Sequence, residues 1–193
     1  MKQKDAVLKY EPLQDGKLVS RWALVLKAID GDTLEVLIRE YRWCGLRTVE
    51  RSERVRLAYI DTKEKGQNLY KDAKAYMQKL EGRWVRLQYQ QQGNKEWRGD
   101  FGRILVMIRR KYHSWSDNIN RDLVWRGLAK LYEKPDRIAP QYEKALQNAQ
   151  LHAQRWRKGI WKHENSSWQY IDWLWCSLSF LAGIAVVLLY QIL

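Results

Sequence analysis

The chain has 193 residues, enough for one domain of ordinary size with a remainder. Its hydrophobic content of 46% suffices for a core, and 35 Lys and Arg against 22 Asp and Glu leave a formal net charge of +13. That excess favours a polyanionic partner, nucleic acid or an anionic lipid surface, and charge alone does not choose between them. Two cysteines far apart, Cys44 and Cys176, give no disulfide framework, and His113, His152 and His163 lack metal-ligand spacing and read as surface residues.

In chain order, residues 1–17 are polar and hold no apolar core for a secretory signal. Leu18–Ile29 reads as a long strand. Asp30-Gly31-Asp32-Thr33 is a turn signal, and Leu34, Val36 and Ile38 mark the returning strand of a hairpin. Tyr41–Glu53 reads as a long charged loop whose Arg42, Arg47, Arg51 and Arg54 suit a nucleic-acid backbone or lipid headgroups. Arg54–Ile60 is a third strand. Leu69, Ala73, Tyr76, Met77 and Leu80 recur at helical spacing, and Gly82 stops that helix. Trp84, Val85, Leu87 and Tyr89 form a fourth strand, Gln90–Gly99 a polar loop, and Ile104–Ile108 a fifth strand. Asn118–Arg126 is a short helix. Pro140 opens another, whose Tyr142, Leu146, Ala149, Ala153 and Trp156 form a core-facing stripe.

The end of the chain differs. No Lys or Arg follows Lys162, and residues 173–193 carry no charge. A run of that length reaches about 30 Å as a helix, the thickness of a bilayer core. Trp161, Trp168, Tyr170, Trp173 and Trp175 cluster at or before its start, as aromatic residues do at a membrane boundary. Arg155, Arg157, Lys158 and Lys162 precede it and no cation follows, which by the positive-inside rule keeps the N-terminal domain cytoplasmic. The organisation expected is a polar segment (1–17), a soluble domain (18–164), a tether (165–172) and a single-pass transmembrane tail anchor (173–193).

The chemistry concentrates in Arg56-Leu57-Ala58-Tyr59-Ile60-Asp61-Thr62-Lys63-Glu64. A strand running into a turn lays Arg56, Asp61 and Glu64 around one small volume. A cation for phosphate, a carboxylate for a metal and a carboxylate for a proton are the parts that cutting a phosphodiester needs. Five strands with one helix between the third and fourth and two helices at the end suggest a small closed barrel of the oligonucleotide-binding (OB-fold) type.

Five stretches carry a resemblance, in order: Ile29–Thr33, Arg56–Glu64, Phe101-Gly102-Arg103, Asn120–Ala129 with Gly127-Leu128-Ala129-Lys130, and Gly159-Ile160-Trp161. Residues from about 20 to 161 resemble the staphylococcal nuclease (thermonuclease-like) family. The resemblance implies an α+β fold, a five-stranded OB-fold β-barrel with three helices, to which the C-terminal transmembrane helix is added. It implies hydrolysis of DNA or RNA phosphodiester bonds with little sequence preference. By the same resemblance Asp32 and Asp61 are calcium carboxylates and the Thr62 carbonyl a further Ca2+ ligand, with water and phosphate oxygens completing the shell. Glu64 matches the general base, and Arg56 and Arg103 match the arginines that grip the scissile phosphate.

The chain departs from the family at several points. Lys63 stands where proline is usual, which either loosens the turn carrying Glu64 or adds phosphate affinity, and Phe101 replaces a tyrosine that contacts substrate phosphate; Lys63, Phe101 and Tyr132 are the candidate substrate-binding residues. Asp100 replaces a basic residue, with Lys95 and Arg98 nearby as compensation, and Tyr132 is the candidate base-stacking residue. The reading is a membrane-anchored, calcium-dependent nuclease. The alternatives are a catalytically silent nucleic-acid-binding module on the same tether and a lipid-surface protein. The retention of Asp32, Arg56, Asp61, Glu64 and Arg103 together argues against both. No protein partner is inferable.

Overall fold

The computed structural model describes residues 17–42, 47–110, 117–132 and 140–162. The chain divides into two units after Lys162, and every described residue belongs to the first. The apolar run 173–193, Cys44, Cys176, His113 and His163 lie outside the described residues. Among the described residues no helix is long and apolar enough to cross a membrane.

Among the described residues eight strands and three α-helices follow in order: β1 Lys17–Ala28, β2 Thr33–Arg42, β3 Arg47–Leu57, β4 Ile60–Thr62, α1 Tyr70–Gln78, β5 Trp84–Gln92, β6 Lys95–Glu96, β7 Ile104–Arg109, α2 Ile119–Trp125, β8 Ala129–Leu131 and α3 Pro140–Arg155. The strand order β1-β2-β3-β7-β5 closes on itself because β1 also pairs with β5, which makes a five-stranded closed barrel with three helices. All pairs in the barrel are antiparallel except β3 with β7.

Closure is the work of β1. Its first half pairs with β5, from Lys17 opposite Gln91 to Leu24 opposite Trp84. Its second half pairs with β2, and the register shifts between Val25 and Lys27. That bulge puts Leu26 out of the ladder and bends the strand. It also resets the alternation: Ala23, Val25 and Ala28 are buried while Leu26 and Lys27 are exposed. The barrel interior holds Val25, Leu34, Val36, Ile38, Val55, Leu57, Leu87, Ile104, Val106 and Ile108, all within 1% of full burial. The helices cover it with the expected stripes, Ala73, Tyr76 and Met77 from α1, and Tyr142, Leu146, Ala149 and Ala153 from α3. Trp156, expected in the second stripe, lies one residue past α3 and is 65% exposed.

Two expected loops are strands. Tyr41–Glu53 is mostly hairpin: β2 runs to Arg42 and β3 starts at Arg47, in register from Thr33 opposite Arg56 to Arg42 opposite Arg47. The pairing is written in charge rather than apolar alternation. Arg39 meets Glu50 at 2.6 Å, and Arg51 meets Glu40, Glu53 and Glu96. Arg51 is therefore committed to the protein's own carboxylates and not to a polyanion, while Arg54 is exposed. Likewise β5 continues through Gln92, turns at Gly93-Asn94 and returns as β6. Gly-Asn between two short runs is a hairpin signal that the polar composition hides.

The third strand ends earlier than expected, at Leu57. Tyr59 takes a left-handed backbone (φ 67) and β4 follows as a separate strand, paired with β8. Asn120, fully buried on α2, fixes this break. Its amide donates to the carbonyls of Ala58 (3.0 Å) and Val106 (3.1 Å), and its oxygen accepts from the Ile108 N–H (3.1 Å). His152 is not a plain surface residue: it stacks on Trp125 at 3.4 Å, and burial together with Lys158 and Arg121 lowers its pKa below the usual 6.5. Asn120→Ala leaves the Ile108 N–H and the Ala58 carbonyl without the amide in a dry interior. We expect a loss of about 2–4 kcal/mol in urea unfolding; a change below about 0.5 kcal/mol would show that the clamp is dispensable.

Candidate active site

The β1–β2 turn is pinned from three sides. The Ile29 and Asp30 N–H groups both donate to the Thr33 carbonyl, the Tyr70 hydroxyl donates to Asp30 Oδ1 at 2.9 Å, and the Leu57 N–H donates to the Asp32 carbonyl at 2.8 Å. Gly31 allows the approach. A Cβ there would lie 2.7 Å from the Ala73 Cβ and 2.9 Å from the Thr62 Oγ1. The turn therefore sits flush against α1 and β4, and Asp32 comes to Asp61.

Arg56 joins the two acids. Its Nη2 lies 2.9 Å from Asp32 Oδ2 and 3.0 Å from Asp61 Oδ1, so both carboxylates face one point. Thr33 extends the chain of contacts: its hydroxyl donates to Asp32 Oδ1 at 2.8 Å and accepts from Arg103 Nη1 at 3.1 Å. Thus Asp32, Arg56, Asp61 and Arg103, drawn from the β1–β2 turn, β3, β4 and the entry to β7, form one connected set. Thr33 is a member the sequence reading did not single out, although its turn motif was visible.

The approach to Arg103 is built from the outer ion-pair cluster. Arg98 meets Glu53 and Glu96 and donates to the Gly102 carbonyl at 2.5 Å. It is thereby occupied, and not a spare cation replacing the one missing at Asp100. Phe101 is 93% exposed in a left-handed conformation, with the Arg103 guanidinium 5.5 Å from its ring centre. Its ring stands in solvent at the edge of the set.

Glu64 belongs to a different wall. A cleft of about 220 Å3 takes Asp61, Thr62, Lys63 and Glu64 as one part of its lining. Leu128 and Lys130, around the start of β8, Gln67 and Ile160 supply the rest. Asp61 is the residue common to the cleft and the arginine set. Glu64 is exposed, its N–H donating to Gln67 Oε1 at 3.2 Å. Thr62 is buried, opposite Ala129 in the β4–β8 pair. Tyr132 is not brought to the cleft. It lies past β8 with its N–H on the Tyr59 carbonyl, at the end of the pair away from Thr62. Gln67 carried no signal in the sequence, and Lys130, though part of the Gly127–Lys130 stretch, carried none for a place beside Asp61, because β4 and β8 are three residues each and their pairing is not periodic.

Asp32 is 5% exposed, and burial raises its pKa above the ordinary 3.8 against the lowering pull of Arg56 and the Thr33 hydroxyl. A raised value means that its ionised form costs the fold stability. Its contribution is complete below pH 3.8 and is lost as pH rises through the raised value. A buried carboxylate short of positive charge is what a cation would relieve. The donor atoms are hard oxygens: the neighbouring carboxylates of Asp32 and Asp61, which share the Arg56 Nη2, and the Thr62 carbonyl in the next residue. Among the described residues no group of three His, Cys, Asp or Glu gathers as a closed metal cage. The set fits an oxygen-seeking divalent ion that keeps several waters, and does not fit a tetrahedral N/S metal.

A model of staphylococcal nuclease homologues matches residues 54–163. The chain belongs to that family. Membership makes the domain a nuclease or a nucleic-acid-binding module, in a family that generally hydrolyses phosphodiesters. No curated protein matches the chain. The matched stretch takes in Arg56, Asp61, Glu64 and Arg103 but starts after Asp32, whose β1–β2 turn is joined to them by its contact with Arg56.

Two substitutions separate the buried acid from its partner. Asp32→Asn keeps the shape and removes a costly charge, so its urea midpoint at pH 7 is expected at or above that of the wild type. Arg56→Met leaves two carboxylates facing each other and is expected to cost about 3 kcal/mol. The reverse ranking would refute this account of the electrostatics.

Proposed function

We propose that the protein is a calcium-dependent nuclease that hydrolyses DNA or RNA phosphodiesters with low sequence preference. The observation that carries this reading is the convergence of Asp32 and Asp61 on one Arg56 nitrogen, with Arg103 linked through Thr33. A binding module has no need to bury an acid at a cost and hold a second beside it.

Asp32, Asp61 and the Thr62 carbonyl would hold the calcium ion, whose chemistry is to polarise a phosphate oxygen and to acidify water. Glu64 takes a proton from the attacking water. The water oxygen forms a bond to phosphorus, the bond from phosphorus to the leaving oxygen breaks, and that oxygen takes a proton from solvent. Arg56 and Arg103 oppose the charge that builds on the equatorial oxygens. A guanidinium carries five N–H donors, so pairing with the acids through Nη2 and binding phosphate use different edges of Arg56. In digestion of plasmid DNA and of RNA, calcium-dependent cleavage is expected, reduced by orders of magnitude in Glu64→Ala and in Arg103→Ala. Equal activity in EDTA would remove the metal assignment, and binding without cleavage would favour the silent-module reading.

The domain is proposed to be held at a membrane by the uncharged run 173–193, with its nuclease domain on the cytoplasmic side. The supports are the length of that run and the one-sided placement of Lys and Arg before it. In sealed right-side-out vesicles, protease is expected to spare the N-terminal domain; its digestion there would refute the orientation.

A further inference from the structure

The site has two limbs that meet at Asp61. On one limb are the arginines, and on the other is the cleft, which they do not line. The proposed cleavage chemistry uses only Glu64 and the acid–carbonyl pair from that cleft. That chemistry makes no use of Lys63 or Lys130, and the cleft volume of about 220 Å3 is more than a water and its proton acceptor need.

The position of Lys130 follows from the strand register. It lies directly opposite Asp61 in the antiparallel β4–β8 pair. Side chains directly opposite across two strands share a face, with Cβ atoms about 5 Å apart. The Lys130 stem therefore starts beside the carboxylate that also touches Arg56. Lys63 is exposed and enters the same cleft two residues along the chain. It occupies the place where the resemblance leads one to expect proline, which has no charge. At the other edge of the site the trade runs the opposite way: Asp100 stands for a basic residue and Phe101 for a hydroxyl. Cationic character has moved from the Phe101 edge to the Lys63 edge. Leu128 and Ile160 add an apolar wall of the kind a sugar lies against.

We propose that Lys63 and Lys130 form a second phosphate subsite, which holds the substrate phosphate one link beyond the phosphate gripped by Arg56 and Arg103. Lysine suits this task, since it binds phosphate as a mobile point charge and needs no fixed fork. The substrate class that follows is a polynucleotide, or an oligonucleotide carrying a terminal phosphate, in preference to a lone phosphodiester. This subsite rests on the nuclease reading for its place in a reaction, but its binding is measurable without cleavage.

The full chain in detergent, with EDTA present, is titrated by calorimetry with a dinucleotide lacking terminal phosphates, the same dinucleotide with a 5′-phosphate, and the same with a 3′-phosphate. One of the two phosphorylated forms is expected to bind the wild type at least tenfold more tightly than the bare form. Lys63→Ala, at an exposed position, is expected to lose at least threefold of that advantage, and the Lys63→Ala/Lys130→Ala double variant all of it. Lys65→Ala, an exposed lysine outside the cleft lining, keeps the advantage. Equal affinity for all three dinucleotides, an advantage that survives in the double variant, or an equal loss in Lys65→Ala would overturn the subsite. An intact advantage in a protein that cleaves nothing in calcium would instead remove the nuclease reading and leave the subsite standing.

Discussion

Two carboxylates arriving from separate turns repel one another, and burial at Asp32 deepens the penalty. Arg56 makes their approach tolerable, with one nitrogen within 3.0 Å of both. The rest of the domain can be read as a holder for that contact. The bulged β1 closes the barrel, the closed barrel sets β3 beside the β1–β2 turn, and Gly31 lets that turn sink against Thr62. Asn120 then breaks β3 from β4 so that Asp61 leaves the barrel wall and meets the same Arg56 nitrogen as Asp32. Such a contact is poorly optimised for stability, since a buried acid remains undercompensated. Sites that bind cations or develop charge during a reaction are where such a shortfall is tolerated.

Much of this was legible in the residues, for reasons that can be named. The barrel strands carry clear apolar alternation, and the stripes on α1 and α3 repeat at helical steps. Arg56, Asp61 and Glu64 sit close enough in sequence for a strand and a turn to unite them. The parts that were not legible depend on long-range pairing. The β2–β3 ribbon is held by Arg39–Glu50 and by Arg51 with its three acids, so its outer half looks like a solvated loop. The β4–β8 pair is too short to show a period, which hid that Lys130 stands opposite Asp61. Thr33 joins Asp32 to Arg103 across 70 residues, a contact that no local pattern encodes. Trp156 was misread because its spacing continues the α3 stripe while the helix itself stops at Arg155.

Family membership and geometry divide the explanation between them. The match over residues 54–163 accounts for the general character of the domain. It leaves out the hairpin that delivers Asp32, and it is silent on how this chain differs at Lys63, Asp100 and Phe101. All three follow Asp61 in the chain, Lys63 in the lining of the cleft and Phe101 beside Arg103. They bear on which end of a substrate is held more firmly, while the arginine–acid set stays intact.

The far wall of the cleft is made in an unusual way. Gly127 and Gly159 lie so close that a Cβ on either would run into the backbone of the other segment, and the Ile160 N–H donates to the Gly127 carbonyl at 2.9 Å. Main chain abuts main chain there, with no side chain as spacer, and Leu128 and Ile160 are the next residues along on the two segments of that seam. The aperture at this edge is consequently set by atoms common to every amino acid. Exchanging one core residue for another can soften the barrel without widening the opening, whereas a single methyl group added at either glycine would pry it apart.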